Sequence, residues 1–336
     1  MLYLHHPASL RHDPQALSPD HPDHPRRLEA IEAAVRAAGL DLTRVAAPAA
    51  SEAELAMVHT EGHISFIRDL CASGGGQIDE DTFVGEASYE AAQHAAGGAC
   101  EMVRALTSGR DRVGFCALRP AGHHAERDRA MGFCLFNNVA VAAELAIHER
   151  GVAKVMVIDW DVHHGNGTAE IFRHRHDVLV VNIHQAGLFP GTGALTDAGS
   201  GDGRGYTVNL PVPSGSGDEV WLSLVEHLIV PIGLDYRPEL VLVSAGFDAH
   251  RDDPLAGCLL DAASFALMAC HVRDLAGTLG VPLGAVLEGG YAPAALGESV
   301  AATLAALAGA GEAESAAPDQ IVTPRAASYL GHRWAL

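Results

Sequence analysis

Six short runs of almost unbroken apolar residues recur along the chain. They are VGFCAL at 113–118, KVMVIDW at 154–160, VLVVNIH at 178–184, YTVNLPV at 206–212, ELVLVSAGF at 239–247 and LGAVLEGG at 283–290. Runs this short, rich in valine and with little polar alternation, predict strands buried on both faces, as in a parallel sheet. Between them the periodicity becomes helical. An apolar stripe over 25–38 stops at Gly39, and the pattern over 138–150 stops at Gly151. Similar patterns cover 87–107, 218–234, 261–279 and 293–307, with Asp218 and Asp261 at expected N-cap positions. Strand and helix alternate, which predicts an α/β domain: a mainly parallel central sheet with helices on both faces. No Pro/Gly/Ser-rich linker and no fixed-period repeat divides the 336 residues. One catalytic domain over 1–310 is therefore expected. The tail 311–336, small and polar at its start, is expected to be loosely held, packed on that domain or trailing from it.

Composition narrows the function. The chain is 48% hydrophobic and 19% charged, as a folded enzyme is. Its formal net charge of -20 repels phosphate backbones, so no direct nucleic-acid partner is expected; it would weakly attract cationic substrates, but it equally suits a role in solubility alone. The acidic loop Asp79-Glu80-Asp81 has the same tendency, although such loops are commonly just solvated. No run of ~20 apolar residues predicts a membrane span. The N-terminus lacks a basic stretch followed by an apolar one, so a cytoplasmic protein is expected. Cys71, Cys100, Cys116, Cys134, Cys258 and Cys270 show no C-x-x-C spacing, which argues against a disulfide framework or a cysteine zinc site. Twenty histidines direct attention to metal binding and proton transfer. Whether copies assemble into a homo-oligomer stays open.

The unusual polar residues fall at the ends of predicted strands, where open α/β sheets bind ligands. After KVMVI come Asp159, Asp161 and His163. If the strand runs that far, alternate side chains share a face, and carboxylate and imidazole meet at one point suited to a divalent metal. Asp248, ending another predicted strand, offers a third ligand. Three protein ligands and an open position are the catalytic pattern. Either pair alone equally suits helix caps or loop contacts. A third strand end carries His123-His124, poor packing residues but good proton-transfer groups, with Asp159 and Asn166 as candidate partners. A fourth carries Glu288-Gly289-Gly290-Tyr291. A tyrosine after two glycines can bring its hydroxyl to an oxyanion, although Gly-Gly-Tyr alone is commonly a turn.

With these stretches assembled, the sequence resembles the zinc-dependent histone deacetylase family, most of all its class II and bacterial deacetylase-like amidohydrolase branch. The matching stretches are 119–138 (RPAGHHAERDRAMGFCLFNN), 157–168 (VIDWDVHHGNGT), 182–193 (NIHQAGLFPGTG), 242–257 (LVSAGFDAHRDDPLAG) and 287–291 (LEGGY). Ala121 departs from the family, which usually has a second proline there. The resemblance implies an arginase/deacetylase-like fold and one zinc ion per chain, held by Asp161, His163 and Asp248. Iron(II) is the alternative, since two carboxylates and one imidazole serve either ion. It further implies that His123 pairs with Asp159 and His124 with Asn166, and that Tyr291 polarises the substrate carbonyl. Gly132, Phe133 and Phe189 match the family's narrow tunnel. A potassium ion is implied at Asp159, Asp161, the carbonyl of His163, Asn182 and Ile183. The activity implied is removal of acetyl groups from lysine or lysine-like amines by metal-activated water.

Leu255, after an Asp-Pro pair, matches the residue over the tunnel mouth. Polyamine-selective relatives carry glutamate there, so leucine favours a lysine side chain. Three alternatives remain: an acetylpolyamine amidohydrolase, a two-manganese ureohydrolase of the same fold, and a non-catalytic acyl-lysine binder. The ureohydrolase needs more bridging carboxylates than the second metal loop supplies, and an intact triad with Tyr291 speaks against the binder.

Overall fold

A computed structural model describes all residues from Met1 to Leu336. Eight parallel strands form one sheet: β1 (Leu2–His5), β2 (Thr43–Ala46), β3 (Val113–Cys116), β4 (Val155–Asp159), β5 (Val178–Gln185), β6 (Thr207–Val212), β7 (Leu240–Ala245) and β8 (Leu283–Leu287). Their spatial order is β2-β1-β3-β8-β7-β4-β5-β6. All six predicted strands are present. β1 and β2 were not predicted; β2, at the edge, is largely exposed and lacks an apolar run.

The apolar runs are buried on both faces because each strand feeds two cores. Met156 and Ile158 of β4 join one cluster of 50 buried residues, while Val155 and Val157 join another of 40. The same alternation runs through Val241 and Val243 against Leu240 and Leu242 in β7. Helices Arg26–Ala37, Ala262–Leu279 and Pro293–Leu307 cover the first face, and Ser88–Thr107 and Asn138–Arg150 the second.

Three sequence expectations need correction. Asp261 caps its helix, accepting from the N–H groups of Ala263 and Ser264, but the cap before Asp218 is Gly217, and Asp218 instead accepts the Ser264 hydroxyl. The helix predicted over 218–234 is Asp218–Leu224 and Val230–Tyr236 joined by a π turn at Val225–Ile229. Pro231 has no N–H to return to the preceding turn, which suits such a widening. The tail is not loosely held. It forms the helix Val322–Leu330, bonds Thr323 to Ser223 at 2.7 Å, and buries Trp334 against Tyr206 and Tyr236.

Parallel strands place all their carboxyl ends on one edge. The loops after β3, β8, β7 and β4 leave four adjacent strands there, although β3 and β8 are far apart in sequence. No helix is long and apolar enough to cross a membrane, and all six cysteines are free and buried.

Candidate active site

β4 ends at Asp159, short of the extension that would align Asp161 and His163 by strand alternation. A tight turn brings them together instead. Asp161 accepts the His163 backbone N–H at 2.9 Å, and Asp159 accepts that of Asp161 at 3.1 Å. Asp248, from the loop after β7, reaches across to accept the Val162 N–H at 2.9 Å. His163 Nδ1 then lies 3.2 Å from Asp161 Oδ1 and 3.1 Å from Asp248 Oδ2. One ligand atom from each of the three residues lies within 4.8 Å of the others.

This cradle has the character of a cation site. Neither carboxylate has an arginine or lysine partner; their only ionic neighbours are histidines. Burial works against a charged His163, yet Asp161 and Asp248 outweigh it and hold the ring at a pKa of about 10. Burial, and then the charge of Asp161, raises Asp248. Two buried carboxylates this close call for a shared positive charge, which a divalent ion supplies better than one imidazole. Glycines make the room. A Cβ on Gly246 would lie 2.2 Å from Asp161 Oδ2, and one on Gly289 would lie 2.1 Å from Asp248 Oδ2.

The paired histidines come from the loop after β3. His123 Nδ1 is 3.0 Å from Asp159 Oδ2, and His124 Nδ1 is 2.8 Å from Asn166 Oδ1. The Asn166 amide is oriented by donating to Glu126 at 2.8 Å, so Oδ1 is its acceptor end and His124 Nδ1 carries the proton. The ring centroids are 4.0 Å apart. Burial disfavours charge on both rings, but they part company. Asp161 and Asp159 hold His123 well above the ordinary histidine range. Burial, reinforced by His123 and His163, holds His124 well below it.

A cleft of about 460 Å³ opens onto these groups, lined among others by His124, His163, Gly132, Phe133, Phe189 and Tyr291, with Leu255 also on its wall. Phe133 stands edge-on to Tyr291 at 5.6 Å, and Phe189 edge-on to His124 at 5.0 Å. Gly132 has φ 56°, and a Cβ there would lie 2.5 Å from His124 and 2.8 Å from Phe189. Phe133 itself has φ 66°, a strained position for a bulky residue, secured by its N–H to Thr82 at 3.2 Å. Asn182 and Ile183 lie on β5 beside Asp159, with Asn182 Oδ1 buried and lacking a hydrogen-bond donor.

A histidine pair, three candidate metal-binding residues and a tyrosine thus gather around one cleft. A model of the histone deacetylase domain matches residues 21–307. The chain belongs to the histone deacetylase family. It is 40% identical over 321 residues to a protein of Methanothermobacter thermautotrophicus named probable deacetylase, covering 95% of this chain and 94% of that one. It is 41% identical to the histone deacetylase-like amidohydrolase of Pseudomonas aeruginosa over 250 residues, 74% of this chain and 66% of that one. The crystal structure of the HDA15 HD domain superposes with a TM-score of 0.93 at 35% identity, covering 99% of this chain and 94% of that one. The protein is therefore a hydrolase acting on amides, in a family that is generally metal-dependent.

Sequence reasoning missed the supports of this histone deacetylase-type site. Arg27 donates from Nε to the Gly290 carbonyl at 2.6 Å and from Nη1 to Asp23 at 2.7 Å, while its guanidinium lies 4.7 Å over the Tyr291 ring. A charged residue beside Leu28 on the buried face of an amphipathic helix was the available signal. Asp253 accepts the backbone N–H groups of Tyr291 at 2.6 Å and Leu255 at 3.0 Å, and nothing in its local sequence marks that role.

Proposed function

We propose that the protein is a metal-dependent deacetylase that removes acetyl groups from lysine or lysine-like amines. The observation that carries this reading is the cradle itself: two buried carboxylates and an imidazole converge without an arginine or lysine, beside paired histidines and a cleft lined by Phe133, Phe189 and Tyr291. Asp161, His163 and Asp248 would hold one zinc or iron(II) ion. When bound, such an ion polarises a carbonyl and lowers the pKa of water to near neutrality. The unpartnered Asn182 Oδ1 next to Asp159 supports a potassium ion at Asp159, Asp161, His163, Asn182 and Ile183. Residues 1–310 would form the catalytic unit, with 311–336 as its packed tail.

In this reading the acyl-amine chain lies between Phe133 and Phe189, with Gly132 giving it close access to the backbone. The Tyr291 hydroxyl donates to the acetyl carbonyl oxygen and to the oxyanion that follows. Burial keeps that phenol protonated, since it raises Tyr291 well above the usual tyrosine range. Neutral His124, with Nδ1–H given to Asn166, presents its Nε2 lone pair to the attacking water and accepts its proton. His123, held in its charged form beside Asp159, keeps positive charge at the site. An imidazole proton then passes to the departing amine, and acetate and free amine leave.

A polyamine substrate is the second reading. Asp20, Glu80 and Asp81 line the cleft mouth together with Leu255, and their charge suits a second ammonium. Acetate release from an acetyl-lysine peptide, acetylputrescine and acetylspermidine, using metal-loaded enzyme, separates the two. Tyr291→Phe and His124→Ala are each expected to lower kcat by more than ~10². Wild-type rates in either variant, or no acetate from any member of the panel, would overturn the mechanism.

A further inference from the structure

We propose that Glu288 is the positioning residue of the paired-histidine loop, gripping the backbone at Gly122 and His123 so that both imidazoles face the metal cradle. The proposal rests on the deacetylase reading and adds to it a residue that touches neither substrate nor ion.

Glu288 follows directly on β8, which lies between β3, the source of the histidine loop, and β7. Its side chain is fully buried. Oε2 accepts two successive backbone N–H groups, from Gly122 at 2.7 Å and from His123 at 3.1 Å. Oε1 accepts the hydroxyl of Ser244, on β7, at 3.1 Å. One carboxylate thus ties three neighbouring strand ends together. Two N–H groups converging on one oxygen fix the plane of the peptide between them, and that plane sets the direction in which the His123 side chain leaves the chain. From there Nδ1 meets Asp159, and the next residue delivers His124 to Asn166.

Its location argues for function over stability. A buried carboxylate is costly, and one without an arginine or lysine partner more so. Burial raises Glu288 to about 7, a cost that the charge of His123 and the two backbone N–H groups do not fully offset. An apolar side chain would fill the volume at lower cost, but it would leave two buried N–H groups unpaired. The loop has little freedom to find other partners, because a Cβ on Gly122 would already lie 2.5 Å from the Asn138 nitrogen. Glu288 also stands near His123 and the Cys134 thiol in a buried triple. Both of its oxygens are already committed to hydrogen donors, so this triple is a scaffold and not a second ion site.

The test compares Glu288→Ala, Glu288→Gln and Glu288→Asp in the metal-loaded enzyme. Glutamine can reproduce the grip: its oxygen accepts both N–H groups and its amide donates to Ser244. Aspartate keeps the charge but falls a methylene short. Displacing catalytic groups by about 1 Å can cost ~10² in rate, so Glu288→Ala is expected to lower kcat by ~10–10² at full metal content. KM should stay within about threefold, because the cleft walls are untouched. Glu288→Gln should restore kcat to within about fivefold of wild type, and Glu288→Asp should fall below Glu288→Gln. If Glu288→Ala does not fold, the Gln–Asp order still decides. Aspartate equal to or better than glutamine, or alanine equal to wild type, overturns the proposal.

Turnover by the wild type tests the deacetylase reading separately. Should the wild type release no acetate, ¹⁵N-histidine spectra remain as readout. Glu288→Gln should keep the ring signals of His123 and His124, and Glu288→Asp should shift them; unchanged signals in Glu288→Asp count against the proposal.

Discussion

At Gly246 and Gly289 a single methyl group separates a working cradle from a blocked one. Both glycines face carboxylate oxygens at distances that no Cβ tolerates, 2.2 Å and 2.1 Å. Gly289 also donates its N–H to Asp161 Oδ2 at 2.8 Å, so it orients one of the two carboxylates it makes room for. Gly289→Ala is expected to displace Asp248 or Asp161 and lower the metal content per chain. The strand beneath should stay intact, because β8 is already complete at Leu287. Elemental analysis beside a thermal melt checks this, and full metal occupancy in the variant would refute it. The split between the two histidines also belongs to this scale. They are adjacent in sequence, yet Asp161 and Asp159 outweigh burial at His123 and raise it, whereas burial with the charges of His123 and His163 lowers His124.

Among the elements, the helix Asn138–Arg150 locks the end of the histidine loop. Asn137 caps it by accepting the Ala140 N–H at 3.1 Å, and Asn137 Nδ2 donates to the Ala125 carbonyl at 3.1 Å. His59 completes the joint. Its Nε2 accepts the Asn137 N–H at 2.9 Å, which leaves Nδ1 to donate to the Glu126 carbonyl at 3.0 Å. That arrangement requires the neutral ring, and burial, with His63 adding to it, pushes His59 down to about 3. The unfolded chain takes up this proton below pH ~6.5, whereas the folded chain resists it down to about 3. The contribution of His59 is thus fully present above pH ~6.5 and is lost as the pH falls through that window. Melting temperature against pH should decline there, and His59→Gln, which donates and accepts without titrating, should flatten the slope. An unchanged slope would show that His59 is not the group responsible.

Across the whole molecule, the tail closes one core, and the net charge is expected to favour the approach of a cationic substrate. Trp334, 5% exposed, joins the larger core beside Leu330 and Ala326. Trp334→Ala is expected to cost about 3–5 kcal/mol, the usual range for removing a large buried side chain, and denaturant unfolding would measure it. A loss below about 1 kcal/mol would mean the tail is only laid on the surface. The net charge of -20 and the carboxylates at the cleft mouth favour cations at low salt. KM for a cationic acetylated substrate should therefore rise between low and physiological ionic strength, where the screening length shortens from about 30 Å to about 8 Å. KM for a neutral acetyl-amide should stay flat, and equal responses would remove electrostatics from the account.

The sequence alone determined six of the eight strands, most of the helices between them, and which polar side chains stand out as candidates for chemistry. These are local properties: apolar runs and periodicity report burial, and Asp, His and Tyr at strand ends report a site because packing alone does not favour them there. Tertiary structure decided what lies between. It set the strand order that makes β3, β8, β7 and β4 neighbours, the turn that joins Asp161 to His163 after β4 stops, and the packing of the tail. It also brought Arg27 to the Gly290 carbonyl, Asp253 to the Tyr291 N–H and Glu288 to the Gly122 and His123 N–H groups, contacts between residues remote in sequence. Their partners are backbone atoms and buried carboxylates on other elements, and sequence spacing encodes neither the hydrogen bonds of a backbone atom nor the burial that makes those bonds matter.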